Sequence, residues 1–291
     1  MNTLIASSGI SDPNAFKAST RTHWNSCADG WDANSAIIRE WLREATDAML
    51  EMAQIRPGAR VLDVAAGAGD QTLDIARRVG ASGYVLATDL SPTILLLAEK
   101  NVRGADYSNV HFEERDGEDL GITPKTFDAA ISRLGLMLMP DPGKGLSQMF
   151  QSLKPDGRCC VMVFSSAEMN PTVGIVLSTA LKHAGMPPKD PHQPGALLSL
   201  GRPGRLDDLF LKAGFTQVAT TKVSAPFELP HVDEYLEFLR TSASPVVQIL
   251  SDLDDSAQAA AWSEIKHRLS EFNTSDGWSG PNELLLTVGQ R

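Results

Sequence analysis

The chain has 291 residues, 42% hydrophobic and 21% charged, with 26 basic against 36 acidic side chains and a formal charge of −10. That length allows one enlarged domain or two small ones, and the acidic balance argues against broad binding to nucleic acid or anionic membrane, which needs a Lys/Arg-rich face. Cys27, Cys159 and Cys160 form neither a disulfide framework nor a zinc-ligand spacing. No run approaches the roughly 20 apolar residues of a membrane helix, and the first residues lack the basic flank and apolar stretch of a secretion signal. A cytoplasmic protein with no resident metal and no membrane insertion is expected.

Residues 1 to about 20 are rich in Ser, Asn and Ala without periodicity, which predicts a mobile or lightly packed stretch. From Ala33, the residues Ile38, Trp41, Leu42, Ala45, Met49 and Met52 recur at spacings of three and four and predict a helix, ended by Arg56-Pro57-Gly58. Strand and helix then alternate. Val61 to Val64 reads as strand, Gln71 to Val79 as helix and Tyr84 to Thr88 as strand. Ser91 and Pro92 open the next helix as an N-cap hydroxyl and a first-position proline. Asn109 to Glu114 and Phe127 to Ser132 are the third and fourth strands. A helix over Lys144 to Leu153, stopped by Pro155-Asp156-Gly157, leads to a fifth strand, Arg158 to Phe164. The alternation predicts an α/β fold, a doubly wound and mainly parallel Rossmann-like sheet with helices on both faces.

Beyond Phe164 a Pro- and Gly-rich stretch, Met186 to Gly204, joins a helix near Thr172–His183 to another at Leu206–Ala213. Phe215 to Phe227 reads as one extended strand, Val232 to Phe272 as a mostly helical block, and Glu283 to Val288 as a final strand. The expected organisation is an N-terminal segment and helix near the cleft over 1–55, a Rossmann-like cofactor-binding core over 56–230, an inserted helical cap over 231–274, and a final strand returning to the core over 275–291.

Ligand-binding groups of such a sheet belong in the loops after the carboxyl ends of its strands. The first of these loops is Asp63-Val64-Ala65-Ala66-Gly67-Ala68-Gly69. Its glycines let the backbone approach a ligand, but a carboxylate there repels the diphosphate that such a turn usually receives. A cofactor with no phosphate and a cationic amino-acid end is attracted instead, and S-adenosylmethionine has both properties. The second loop, Thr88-Asp89-Leu90-Ser91, offers a carboxylate able to accept from both hydroxyls of a ribose. The third, Arg115-Asp116-Gly117-Glu118, can accept from an adenine amino group, and Ser132-Arg133-Leu134 ends the fourth strand beside the place of a methyl group. Singly, Asp89 or Asp116 reads as readily as a helix cap or a solvated loop acid; polar groups after three successive strands carry more weight.

Over Val61 to Phe164 the chain resembles the class I S-adenosylmethionine-dependent methyltransferases, closest to the small-molecule group related to the ubiquinone/menaquinone C-methyltransferases. The segments that carry the resemblance are Val61-Leu62-Asp63-Val64-Ala65-Ala66-Gly67-Ala68-Gly69-Asp70, Ala87-Thr88-Asp89-Leu90-Ser91 and Leu153-Lys154-Pro155-Asp156-Gly157. The resemblance implies a seven-stranded sheet whose last strand inserts antiparallel beside the sixth. It implies that Asp63 and Gly67 serve the methionine end, Asp89 the ribose, and Asp116 with Gly117 the adenine, while Arg133 and Leu134 border the methyl. Ala65 stands where the family often has glycine, and is expected to be tolerated at negative φ. The candidate cofactor contacts are therefore Asp63, Ala65, Gly67, Gly69, Asp89, Leu90, Asp116, Gly117, Glu118, Arg133 and Leu134. Trp31 joins them because, in similar enzymes, an N-terminal segment often closes over the cofactor; anchoring of the first helix is an equal reading of that residue.

The implied activity is methyl transfer to a small organic acceptor. Leu134, Leu136, Met137, Leu138 and Met139 could form an adaptable apolar wall, suited to an apolar or aromatic molecule, although packing beneath the next helix accounts more simply for most of them. No catalytic base is assigned among His23, His111, His183, His192, His231 and His267. A nicotinamide-dependent (NAD or NADP) oxidoreductase is opposed by Thr72 in place of a third glycine and by the charge of Asp63. A non-catalytic protein that binds S-adenosylmethionine or a partner is opposed by nothing in these residues.

Overall fold

The computed structural model describes residues 10–242 and 245–291. Its first helix, α1 (Pro13–Ala33), is capped by Asp12, which accepts from the N–H groups of Asn14 and Ala15 at 3.0 Å, with Pro13 at the first helical position. The stretch expected to be lightly packed is helical from Pro13 onward, with Pro13 to Thr20 exposed or half-buried, and residues 1–9 of it lie outside the described residues. Among the residues of α1 only Ala28 is fully buried. The helix predicted from Ala33 is the second, α2 (Ser35–Met52), with Ile38, Leu42, Ala45 and Met49 on its buried face.

The core strands follow as β1 (Arg60–Val64), β2 (Tyr84–Asp89), β3 (Val110–Glu114), β4 (Phe127–Arg133) and β5 (Leu153–Phe164). Between them run α3 (Asp70–Val79), α4 (Pro92–Gly104) and α5 (Pro142–Ser152). Then come α6 (Pro171–His183), α7 (Arg205–Ala213), β6 (Thr216–Ser224), β7 (Phe227–Leu229), α8 (Val232–Thr241), α9 (Pro245–Leu250) and α10 (Asp255–Leu269). The chain closes with β8 (Asn273–Thr274), β9 (Gly277–Gly280) and β10 (Glu283–Gln290).

Seven strands form one sheet in the order β3-β2-β1-β4-β5-β10-β6. β1 through β5 pair in parallel, and β10 runs antiparallel between β5 and β6, with Leu285 opposite Val163 on one side and Lys222 on the other. The order reverses between β1 and β4, which opens a crevice beyond their carboxyl ends. The central strands are apolar and buried because helices cover both faces: Val61, Leu62, Ala129, Ala130 and Ile131 are at most 1% exposed. The two edges are polar instead. β6 reads Thr-Gln-Val-Ala-Thr-Thr-Lys-Val-Ser and β3 ends in Glu113-Glu114, which keeps either edge from pairing with another chain.

The single strand expected over Phe215 to Phe227 is broken. Ala225 and Pro226 turn the chain out of the large sheet, and Phe227 joins a second, three-stranded sheet in the order β7-β9-β8. Proline has no N–H to continue the ladder, which is the physical reason for the break. That small sheet lies beside α8, and α6, α8, α9 and α10 form a connected helical group in which α6 and α8 each pack on α9 and α10. Trp278 on β9 is 1% exposed; its indole N–H donates to the Leu269 carbonyl at 2.8 Å and its ring stacks on Tyr235 of α8. Among the described residues no helix is long and apolar enough to cross a membrane.

Candidate functional site

The first turn after β1 is held in left-handed backbone. Ala65, Gly67 and Gly69 have φ of 58°, 59° and 91°. The expectation of negative φ at Ala65 is corrected: its methyl sits in a conformation that costs about 1–2 kcal/mol for a residue with a Cβ. The space for that methyl comes from Gly135, where an added Cβ would stand 2.4 Å from the Ala65 Cβ. Gly69 faces away from the crevice and lets α4 approach, since a Cβ there would meet Ala98 at 3.1 Å.

Asp63 is fully buried under this turn rather than lining the crevice. Gln71 Nε2 donates to its Oδ1 at 2.7 Å and Thr72 Oγ1 to its Oδ2 at 2.6 Å. Burial pushes its carboxyl up to about 6, against the lowering by those two bonds and by the charge of Arg133. Asp63 orients Gln71, which does line the crevice. Asp70 in the first turn of α3 is also buried, and its carboxyl is raised for the same reason, offset by Arg133. Two carboxylates thus occupy the start of the helix where a diphosphate would rest.

Asp89 ends β2 and braces the turn. Its Oδ2 accepts from the Gly67 N–H at 3.0 Å and its Oδ1 from the Ser91 N–H at 2.9 Å. Desolvation raises its carboxyl, and the backbone N–H groups oppose that. Because the Gly67 N–H is already donated to a carboxylate, it is not left for a phosphate. Asp116 is likewise engaged: Oδ1 accepts from the Glu118 N–H at 2.9 Å, and Oδ2 meets Lys17 Nζ of α1 at 2.7 Å. Lys17 also meets Glu118 Oε2 at 2.6 Å, so α1 is fastened across the loop after β3.

These loops line a cleft. Of the candidate contacts, Trp31, Ala65, Gly67, Asp89, Leu90, Asp116, Gly117, Glu118, Arg133 and Leu134 stand on its wall; Asp63 and Gly69 do not. Arg133 is 8% exposed, donates to Thr46 Oγ1 at 3.1 Å, and has its pKa lowered by burial while Asp70 and Asp63 hold it up. Sequence reasoning missed Phe16, Lys17, Thr20 and Trp24, all on this wall. Their signal was present: Phe16, Thr20 and Trp24 recur every four residues, and Trp31 follows seven later, one face of a helix.

A second cavity adjoins the first, and Trp24, Trp31, Leu134 and Leu138 belong to both walls. It is apolar and aromatic. Trp41 lies 4.5 Å from Phe227 and stacks on Phe164 at 6.1 Å, and Phe227 meets Phe238 at 5.1 Å. Leu134 and Met137 join these rings, whereas Leu136 packs inside the core. Among the described residues no Asp, Glu, His, Lys or Arg lines it, and burial pushes the Tyr235 hydroxyl up to about 12. Gly30 lets α1 close against the end of α8: an added Cβ would stand 1.7 Å from the Thr241 carbonyl oxygen. Asn34 Nδ2 ties the same junction, donating to Thr241 Oγ1 at 2.9 Å.

None of the six histidines lines either cavity; His183 pairs with Glu264 at 2.8 Å and His111 stacks on Tyr84. Cys159 and Cys160 are buried in β5, and burial raises both thiols. Among the described residues no group of three or more His, Cys, Asp or Glu side chains could hold a metal ion.

Residues 21–177, just over half of the chain, match the model of the ubiE/COQ5 methyltransferase family. A relative from Pasteurella multocida, named a ubiquinone/menaquinone biosynthesis C-methyltransferase UbiE, is 35% identical over 136 residues, 46% of this chain and 49% of that one. The chain spans about half the length of the curated relatives it matches. Among solved structures, YcgJ of Bacillus subtilis is similar with a TM-score of 0.58 at 17% identity, covering 86% of this chain and 98% of its own. Phosphoethanolamine N-methyltransferase 2 of Haemonchus contortus is similar with a TM-score of 0.56 at 16% identity, covering 97% and 60%. At such identities these structures establish the shared fold; the family rests on the sequence match, which runs from α1 through β5 and into α6. The chain belongs to the ubiE/COQ5 methyltransferase family.

Proposed function

We propose that the protein transfers a methyl group from S-adenosylmethionine to a small, neutral, apolar or aromatic acceptor. The observation that carries this reading is the pair of adjoining cavities, one edged by carboxylates at strand ends and one aromatic and uncharged, sharing a wall of Trp24, Trp31, Leu134 and Leu138. The Haemonchus contortus neighbour is described in complex with S-adenosylmethionine, and the curated relatives are named as C-methyltransferases of ubiquinone/menaquinone biosynthesis. An acceptor of apolar, aromatic character suits the second cavity.

The residues present fit the cofactor. Asp89 would take the ribose hydroxyls. Asp116, Gly117 and Glu118 would border the adenine, with Leu90 and Ile94 offering apolar contact. Gln71 and Arg133 would face the amino-acid end, and Ala65, Gly67, Leu134 and Trp31 would line the path between. When bound, S-adenosylmethionine supplies a methyl carbon on a sulfonium, open to in-line displacement. The chain's own part is positioning and exclusion of water: α1 and the helical block over 231–274 close the cavities, and the shared aromatic wall aligns the acceptor. The Tyr235 hydroxyl stays protonated at neutral pH, so among the described residues the second cavity offers no base. The acceptor must bring its own nucleophilicity.

An oxidoreductase reading is not favoured, given the carboxylates at the start of α3 and the occupied Gly67 N–H. The acidic balance of the chain supports a small-molecule partner rather than nucleic acid, and its three unpaired cysteines suit a cytoplasmic setting. Calorimetry with S-adenosylhomocysteine, together with transfer of a labelled methyl group to a panel of aromatic acceptors, tests the proposal. Binding in the micromolar range and a labelled product are expected; no binding of either cofactor form would contradict it.

A further inference from the structure

The aromatic cavity is walled by a curved series of rings. Trp24 meets Trp31 at 5.3 Å, Trp31 meets Phe238 at 6.4 Å, Phe238 meets Phe227 at 5.1 Å and Phe227 meets Trp41 at 4.5 Å, and all five line the space. Successive planes are inclined by 81°, 49°, 46° and 34°, so the series bends instead of forming one flat stack. Polar groups on the same wall are engaged by the protein. Trp41 Nε1 donates to the Ala225 carbonyl at 2.8 Å, and the Ser242 hydroxyl donates to the Phe238 carbonyl. Among the described residues no carboxylate, imidazole, ammonium or guanidinium group lines it.

This lining restricts the chemistry. An acceptor that must lose a proton, such as a phenol, an enol or an arene carbon, finds no group on the wall to take it. Charge must also be placed. The cofactor is a sulfonium before transfer and a neutral thioether after it, so when no proton leaves, the positive charge passes to the acceptor atom. The faces of aromatic rings carry the negative side of their quadrupole and hold alkylated nitrogen cations without a counter-ion. Before transfer, the sulfonium next door disfavours a second cation, so the acceptor atom must enter uncharged. A thioether acceptor would only exchange one sulfonium for another.

We infer that the aromatic cavity takes apolar molecules whose nucleophile is an uncharged nitrogen with no proton to lose, a pyridine-type nitrogen or a tertiary arylamine, and that the rings of Trp41, Phe227 and Phe238 stabilise the cation formed. The nitrogen lone pair makes the N–C bond as the C–S bond breaks, the C–S electron pair stays on sulfur, and no proton moves. The inference rests on the methyl-transfer reading and narrows its acceptor. The family match ends at residue 177, and Phe227 and Phe238 lie beyond it, so the acceptor of relatives named as C-methyltransferases does not carry over to this cavity.

The test uses the full chain, labelled S-adenosylmethionine and two probes of one frame, 4-phenylpyridine and 4-phenylphenol. Both should quench the cavity tryptophans Trp24, Trp31 and Trp41. The label should pass to the pyridine nitrogen at least about 100-fold faster than to the phenol, which lacks its base. The product, N-methyl-4-phenylpyridinium, should bind the S-adenosylhomocysteine complex about 10-fold more tightly than the S-adenosylmethionine complex, where two cations would face each other; 4-phenylphenol should bind both alike. Trp41→Leu keeps an apolar side chain but removes a ring face. It should weaken the pyridinium about 10-fold and the phenol about 3-fold or less, and Phe227→Leu makes the same comparison if that variant does not fold. No transfer to the pyridine, comparable transfer to the phenol, a product affinity indifferent to the cofactor form, or equal losses of both ligands in the leucine variant each overturns the inference. Transfer to the phenol alone does so while leaving the methyl-transfer reading in place, whereas no binding of S-adenosylhomocysteine by the native chain removes both.

Discussion

The two cavities are built in opposite ways. The carboxylate-edged one takes most of its polar wall from three loops within residues 64–118, each following a strand, and adds one face of α1. The aromatic one gathers Trp41 from α2, Phe164 from β5, Val173 from α6, Phe227 from β7, Tyr235 from α8 and Asn282 ahead of β10. The first is a local product of strand, turn and helix; the second exists only once distant parts of the chain have packed. Chemistry placed by local backbone is tied to the fold, whereas a chamber assembled from many elements can change its lining residue by residue.

Substitutions can separate the two. The largest effect is expected from Asp89→Ala, which removes the proposed ribose acceptor and the brace on the Gly67 N–H. S-adenosylhomocysteine affinity measured by calorimetry should fall about 100-fold, with probe binding in the aromatic cavity changed far less. A comparable loss in both would show that they are not independent.

Next in size is a pH term from Asp63. Its folded carboxyl is raised to about 6 from an ordinary 3.8, so the native state holds the proton where the unfolded chain has lost it. The stability tied to this group is greatest below the unfolded value and falls as pH rises through about 6. Denaturant titrations at pH 4.5 and 7 should give a stability difference that shrinks in Asp63→Asn, by on the order of 2 kcal/mol. An identical pH profile in the variant would contradict the burial of an ionised Asp63.

Smaller effects come from the common wall. Trp31→Ala should weaken both S-adenosylhomocysteine and 4-phenylphenol, each about 10-fold, whereas Phe227→Ala should weaken the phenol alone. The smallest expected change is a gain: Ala65→Gly relieves the left-handed methyl and should raise stability by about 1 kcal/mol or less in chemical denaturation.

The same contrast decides what could be read from the amino acids. Strand ends announced themselves: Val61-Leu62 before a glycine turn and Ser91-Pro92 at a helix start left short-range marks, and the antiparallel place of β10 followed from the family resemblance. The site positions on those loops were legible for the same reason. Asp63 was named, but its burial was not, because only the packing of Gln71 and Thr72 over it decides which way the carboxylate faces. Ala65 gave no sign of positive φ, since the compensating residue, Gly135, lies 70 positions away. Lys17 was invisible as a partner of Asp116 and Glu118 because nothing in a polar N-terminal stretch points to a loop 99 residues on. Trp41, Tyr235 and Asn282 share no spacing that would link them.

Cofactor and acceptor are proposed to occupy the two adjoining cavities and to meet at their common wall. A crystal structure of the chain with S-adenosylhomocysteine and 4-phenylphenol tests this most directly. The ribose is expected on Asp89, the sulfur facing Leu134 and Trp31, and the phenol ring between Trp41 and Phe227. Both ligands in one cavity, or S-adenosylhomocysteine bound away from Asp89, would contradict it.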